Sequence, residues 1–266
     1  MKNKISIICL NCFGSPLSVN WKIRYKLITN ELQKIDPDLI CLQEVFTYKQ
    51  RKTLYDALSV RYNIFYDDFF GFCKGGLVSF VKKEINVNNY RFEEYLNQGS
   101  FLTLAITDRI SRKGIQSFKL NINGRDFCLV NTHLLCTYGN YKSDLLQHSL
   151  QILQLTKSIL ETHLNLILCG DLNVSPTNQL LTELKSKNNL VEYLDTTSIT
   201  VSPTNLNRGV LLNYYGEKKP YRTDYVFATK SLEVVTQEIV FKDIMKYNNK
   251  EYNLSDHYGI FTELKL

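Results

Sequence analysis

One recurrence constrains this chain more than any other feature: apolar runs of strand length keep ending in an acidic, amide or imidazole residue. Ile5 to Leu10 runs into Asn11, and Leu39-Ile40-Cys41-Leu42 runs into Gln43-Glu44. Phe127-Cys128-Leu129-Val130 leads to Asn131-Thr132-His133, and Leu164 to Cys169 leads to Gly170-Asp171-Leu172-Asn173. Arg222-Thr223 opens the run from Asp224 to Ala228, and Ser255-Asp256-His257 precedes Gly259 to Leu264. With Gly76 to Val81 and Phe101 to Ile106, these runs predict strands buried on at least one face.

Helical periodicity lies between them. Ile23, Leu27, Ile28, Leu32 and Ile35 share one face of a helix that stops at Asp36-Pro37-Asp38. Leu145, Leu146, Leu150, Leu153 and Ile159 keep helical spacing after Ser143, a candidate N-cap. A third helix is expected to open at Ser175-Pro176 and to bury Leu180, Leu181 and Leu184. Strands mixed with helices predict an α/β (α+β) chain in which two sheets pack together with helices outside. Repeats and long linkers are lacking, so residues 1–266 read as a single domain.

If the strands are neighbours, their ends converge on one pocket holding Glu44, Asp171, Asp224 and Asp256, two imidazoles and two amides. Four carboxylates without an adjacent Arg or Lys repel one another and need a cation. Oxygen donors without cysteines select Mg²⁺, with Mn²⁺ able to substitute, over zinc. Such an ion polarises a phosphoryl oxygen, while imidazole and carboxylate move protons or position water. A net charge of +6 suits an anionic substrate without naming one.

Cysteine usage points to reduced thiols and hence to a cytoplasmic location: the count, 7, is odd and has no framework spacing. Cys9 and Cys12 form a C-x-x-C pair on a strand, where residues three apart face opposite ways, so a metal or redox role is not expected. The first ten residues lack the apolar length and cleavage site of a signal peptide, and no run approaches the ~18 residues of a membrane span.

Leu10-Asn11, Leu42-Gln43-Glu44-Val45, Asn131-Thr132-His133-Leu134, Gly170-Asp171-Leu172-Asn173, Tyr221-Arg222-Thr223-Asp224-Tyr225 and Ser255-Asp256-His257 resemble, in order, the six motifs of the endonuclease/exonuclease/phosphatase superfamily. The resemblance implies a DNase I-like, four-layered α/β sandwich: two mixed sheets face to face, helices on both outer sides, and the active site at one end. It also implies roles. Glu44 resembles the main metal ligand, with Asn11 beside it and Asp256 as a further acidic ligand. Asp171 and Asn173 would orient the attacking water and hold the phosphate. His257 resembles the catalytic histidine held by Asp224, and His133 the second, phosphate-contacting histidine. Tyr138 and Arg222 are expected to bind substrate. His148 and His163 lie outside the motifs and read as ordinary surface or boundary residues.

Within the superfamily, Leu42-Gln43-Glu44-Val45-Phe46, Lys74-Gly75-Gly76-Leu77-Val78-Ser79-Phe80 and Asp171-Leu172-Asn173-Val174-Ser175-Pro176 resemble the neutral sphingomyelinase-like branch. That likeness implies a Mg²⁺-dependent, phospholipase C-type cleavage of a phospholipid such as sphingomyelin, with peripheral membrane contact. Nucleic acid is the second expected substrate, and a non-enzymatic module of the same fold the third reading. Two segments bear on this choice. Tyr62 to Phe72 carries six aromatics that could meet lipid or nucleobases, or lie in the core as an edge strand. The loop from Asn205 to Tyr221, with Leu211, Leu212 and Lys218-Lys219, is expected to overhang the site.

Overall fold

The computed structural model describes residues 3–15, 18–100, 106–137, 142–162, 165–195, 197–201 and 222–266. In chain order they form β1 (Lys4–Asn11), α1 (Trp21–Ile35), β2 (Leu39–Gln43), α2 (Tyr48–Leu58), β3 (Tyr62–Phe65), β4 (Asp68–Phe69), β5 (Phe72–Cys73), β6 (Val78–Lys82) and β7 (Asn86–Glu94). Then come α3 (Ile106–Ser111), β8 (Gly114–Ile122), β9 (Arg125–His133), α4 (Lys142–Leu160), β10 (Asn165–Asp171), α5 (Gln179–Lys187) and β11 (Leu190–Val191). The chain ends with β12 (Asp224–Thr229), β13 (Glu233–Val240), β14 (Met245–Tyr247), β15 (Lys250–Tyr252) and β16 (Gly259–Lys265).

The apolar runs are continuous because their strands are covered on both faces. In β1, Ile5, Ile7 and Cys9 enter the cluster between the sheets, while Ile8 and Leu10 enter an outer cluster with Tyr25, Leu27, Ile28 and Leu32 of α1. In β10, Ile167 and Cys169 face the inter-sheet cluster and Leu166 and Leu168 face α4 and α5 through Ile152, Leu155, Leu181 and Leu184. One six-stranded sheet has the order β13-β16-β1-β2-β6-β3, the other β11-β12-β10-β9-β8-β7. Each mixes parallel pairs, β1 with β2 and β9 with β10, with antiparallel neighbours. The layers are therefore α1 and α2, sheet, sheet, α4 and α5: the DNase I-like sandwich.

Several boundaries differ from the sequence reading. The strand expected over Phe101 to Ile106 lies outside the described residues except for Ile106, which begins α3. Ser143 falls inside α4, so it is not the N-cap. α5 starts later than Ser175-Pro176, because Asn178 caps it by accepting from the Leu180 and Leu181 amides. α2 has few apolar positions and was not expected; Thr47 and Gln50 start it with a reciprocal capping box. Among the described residues no helix is long and apolar enough to cross a membrane.

Candidate active site

The parallel strands β1, β2, β9 and β10 all end on the same side, and the antiparallel β12 and β16 begin there. Register then does the assembly. Asp171, last in β10, stands opposite His133 of β9 on one side and Asp224 of β12 on the other. Asn11 ends β1 opposite Gln43 of β2, which places Glu44 one residue beyond. Glu44 turns back over the pocket with a left-handed φ of 56°, a conformation bulky residues avoid unless neighbours impose it. Gly76 permits this: a Cβ there would come within 3.0 Å of the Glu44 Cα and 2.6 Å of the Phe46 ring.

Side chains from the two sheets meet across Asn11. Its Nδ2 donates to Glu44 Oε1 at 3.0 Å and to Asp171 Oδ2 at 3.0 Å, while its Oδ1 accepts from the Phe13 amide at 3.0 Å. Of the three expected metal ligands, Asn11 thus turns its donor oxygen away from the carboxylates and braces them instead. Glu44 is pushed up to about 7, by burial first and by the neighbouring Asp256 charge second, against the Asn11 hydrogen bond. The His257 and Lys113 charges offset this only in part.

Asp224 and His257 form a dyad. Asp224 Oδ2 lies 2.8 Å from His257 Nδ1 and also accepts from Thr223 Oγ1 at 3.1 Å. Burial alone would lower the imidazole, but the Asp224 charge and hydrogen bond hold it well above its ordinary 6.5, with help from Asp256 and Asp171. His257 Nε2 lies 4.0 Å from Asp256 Oδ1. His133 is the opposite case. Burial, then the Lys113 ammonium, push it well below 6.5, against the pull of Asp171, whose Oδ2 is 3.6 Å from its Nε2. The pocket thus favours the charged form of His257 and the neutral form of His133. Asn173 also takes a left-handed φ, 49°, and donates from its amide N–H to Asp171 Oδ1 and from its Nδ2 to the Leu134 carbonyl, both at 3.0 Å.

The donor chemistry fits a hard divalent cation. Glu44 and Asp256 offer carboxylate oxygens that need positive charge. Donor atoms of Asp171, Asp224 and His257 also lie within 4.8 Å of one another. The 2.8 Å bond commits His257 Nδ1 to Asp224 rather than to an ion, so Glu44 and Asp256 are the expected residues that would hold one.

Not every expected residue joins the pocket. Arg222 is buried, paired with Glu192, and donates to the Leu194 and Asp195 carbonyls; its guanidinium lies 4.7 Å from the Tyr225 ring. It therefore braces β12 rather than facing substrate. Tyr138, His163 and the 205–221 loop lie outside the described residues. His148, read as a surface residue, is buried on the inner face of α4 with Nε2 2.9 Å from the Leu172 carbonyl. The six aromatics divide: Tyr62 and Phe65 pack inward, whereas Tyr66, Phe69, Phe70 and Phe72 are exposed.

Four residues that hold the site were not anticipated. Lys113 donates to the Leu134 carbonyl at 2.7 Å and pairs with Asp108 at 3.2 Å, and Asp108 accepts from the Cys136 amide. Ser255 donates to the Asn11 carbonyl at 2.6 Å and accepts the His257 amide. Thr200 Oγ1 accepts the Thr223 and Asp224 amides. Arg24 donates to the Cys12, Phe13 and Leu254 carbonyls. In the sequence Arg24 stands between Ile23 and Tyr25 and Lys113 between Arg112 and Gly114, and neither setting marks a role at the site.

A profile of the Endonuclease/Exonuclease/phosphatase family matches residues 8–257. The chain belongs to this family. It is 26% identical over 181 residues to the inositol phosphosphingolipids phospholipase C of Schizosaccharomyces pombe, covering 65% of this chain and 42% of that protein's length. The chain thus spans about two fifths of that relative. Zebrafish (D. rerio) TDP2 complexed with a single-strand DNA product superimposes with a TM-score of 0.76 at 16% identity, over 100% of both chains. Sphingomyelinase C from Streptomyces griseocarneus gives 0.68 at 17% identity, over 98% of this chain and 99% of that one. These structural likenesses establish the fold; they do not choose between lipid and nucleic acid.

Proposed function

We propose that this chain is a Mg²⁺-dependent phosphodiester hydrolase that removes the phosphorylated head group of a phospholipid such as sphingomyelin. The observation that carries the hydrolase reading is the placement of His257, locked to Asp224 at 2.8 Å and 4.0 Å from Asp256, beside the buried Glu44 carboxylate. Glu44 and Asp256 would hold the cation, which supplies charge neutralisation at the phosphoryl oxygens. Asp171, fixed by Asn11 and by the Asn173 amide, orients the water that attacks phosphorus and accepts its proton. The neutral His133 donates a hydrogen bond to a phosphate oxygen. His257 gives its proton to the departing lipid alkoxide, so the products are the lipid alcohol and a phosphomonoester head group. The S. pombe relative, named for phosphosphingolipids, supports the lipid substrate. The single-strand DNA product held by the zebrafish structure supports nucleic acid as the second reading. Burial of six of the seven thiols supports a reducing, cytoplasmic setting.

The test is a side-by-side turnover screen with sphingomyelin, lysophospholipid, plain DNA, abasic DNA and inositol phosphates, each with Mg²⁺ and with EDTA. Metal-dependent head-group release is expected. DNA cleavage with no lipid turnover would reverse the substrate assignment, and full activity in EDTA would remove the metal.

A further inference from the structure

The hairpin of β4 and β5 is built in a way its own folding does not explain. Its two central residues, Phe70 and Gly71, have φ of 49° and 81°. That left-handed pair is the type I′ pattern, where Asn-Gly is preferred and a bulky aromatic first residue is penalised. Phe70 is also 90% exposed, with Phe72 at 55% and Phe69 at 41%. Backbone preference and hydration both oppose phenylalanine at the tip, so its presence points to something outside the fold.

The hairpin is nonetheless held firmly. Thr47 bridges to Phe72, the Cys73 amide donates to the Phe46 carbonyl at 2.8 Å, the Lys74 amide donates to Asp67 at 2.8 Å, and Arg51 pairs with Asp68 at 2.7 Å. Its base adjoins the pocket, since the Val45 amide, next to Glu44, donates to Gly76 at 2.9 Å. Guanidinium groups lie against its rings: Arg112 is 4.2 Å from the Phe69 centroid and Arg51 is 4.6 Å from that of Tyr66. Aromatic tips with cations on their stems suit the boundary between head groups and acyl chains.

We infer that this hairpin is a lipid-surface anchor that seats the pocket against a membrane, an inference that rests on the lipid reading of the site. Area selects the occupant. The exposed parts of the three rings amount to roughly 400 Å², about half of the ~800 Å² each partner contributes to a stable protein interface. A bilayer makes no such demand, because a few inserted rings give reversible peripheral binding.

Co-sedimentation with phosphatidylcholine vesicles, with and without phosphatidylserine, tests this without requiring turnover. Phe70→Asn should lower the vesicle partition coefficient roughly tenfold, and Phe70→Asn with Phe72→Ser further. The single variant should keep or raise Tm, because Asn-Gly suits the turn, and should hydrolyse a soluble choline phosphodiester at the wild-type rate. Phe70→Trp should retain partitioning. Wild-type partitioning by Phe70→Asn would overturn the inference. So would loss of single-stranded DNA binding with vesicle partitioning intact, which would reassign the rings to base stacking. If the wild type binds vesicles through Phe70 yet releases no head group, the anchor holds and the substrate reading fails.

Discussion

Replacing Glu44 with Gln should make the metal-free protein more stable while abolishing its activity. In the folded chain Glu44 titrates near 7, against 4.5 for an ordinary glutamate, because burial and Asp256 penalise its charge. A folded value above the unfolded one means that the contribution is fully present below about pH 4.5 and is lost as pH rises through about 7. At ~1.4 kcal/mol for each tenfold change in proton affinity, the loss approaches roughly 3 kcal/mol by pH 8. Gln cannot ionise, can still accept the Asn11 hydrogen bond, and avoids the loss. At about 2–4 °C per kcal/mol for a chain of this size, Glu44→Gln should melt roughly 6–12 °C above wild type at pH 8 in EDTA. At pH 5 the two should nearly coincide. Mg²⁺ should reverse the order, because only the carboxylate gains from the cation. Differential scanning calorimetry at both pH values, with EDTA and with Mg²⁺, reads all of this. An equal gap at pH 5 and pH 8 in EDTA, or an equal Mg²⁺ gain in both proteins, would refute the reasoning.

Asp224→Asn should return the His257 midpoint toward the ordinary range, seen by NMR titration of the ring, and lower kcat by about 10²-fold or more at neutral pH. The stability that His257 draws from Asp224 is present below 6.5 and fades as pH rises through the raised folded value, so the variant's deficit should shrink at high pH. Lys113→Met removes the ammonium from the Leu134 carbonyl and strands Asp108; it should cost about 3–5 kcal/mol in denaturant unfolding and lower kcat more than it raises KM, with Lys113→Arg recovering part of both. His148→Ala should instead cost stability, about 1–3 kcal/mol, and leave kcat near wild type, because the ring supports Leu172 from outside the pocket.

The strands that carry the site were legible because each is covered on both faces. Unbroken apolar runs such as Leu39 to Leu42 then stop abruptly where the core stops, and the polar residue at that boundary advertises itself. The edge strands were not legible. β7 reads Asn-Val-Asn-Asn-Tyr-Arg-Phe-Glu-Glu, half exposed throughout, and β13 is similar, so neither shows an apolar run. α2 escaped notice because its buried face uses Gln50 and Arg51 beside Leu54 and Leu58. Arg222 was misread for a related reason: residue type and motif position suggest an anion ligand, but only the fold shows Glu192 waiting for it.

The same distinction explains why the pocket forms at this end of the sheets. Beneath it the inter-sheet core changes from apolar to polar. Gln43 Nε2 donates to Asn131 Oδ1 at 2.8 Å across the sheets, and Asn131 Nδ2 reaches Ser79 Oγ at 3.1 Å and Gln116 Oε1 at 3.2 Å. Ser79 in turn donates to Gln116 at 2.8 Å. All four side chains are buried, so any unpaired member would bear the desolvation cost of a lost hydrogen bond, about 1–3 kcal/mol. A slip of one residue in β2 or β9 would put Cys41-side or Val130-side apolar groups against the remaining amides and leave them unsatisfied. The layer therefore fixes the register of β2 against β9. The same strands carry Glu44 and His133, one and two residues further along their chains, to the ends that border the pocket. The polar layer thus sets where Glu44 and His133 stand without a hydrogen bond to either side chain.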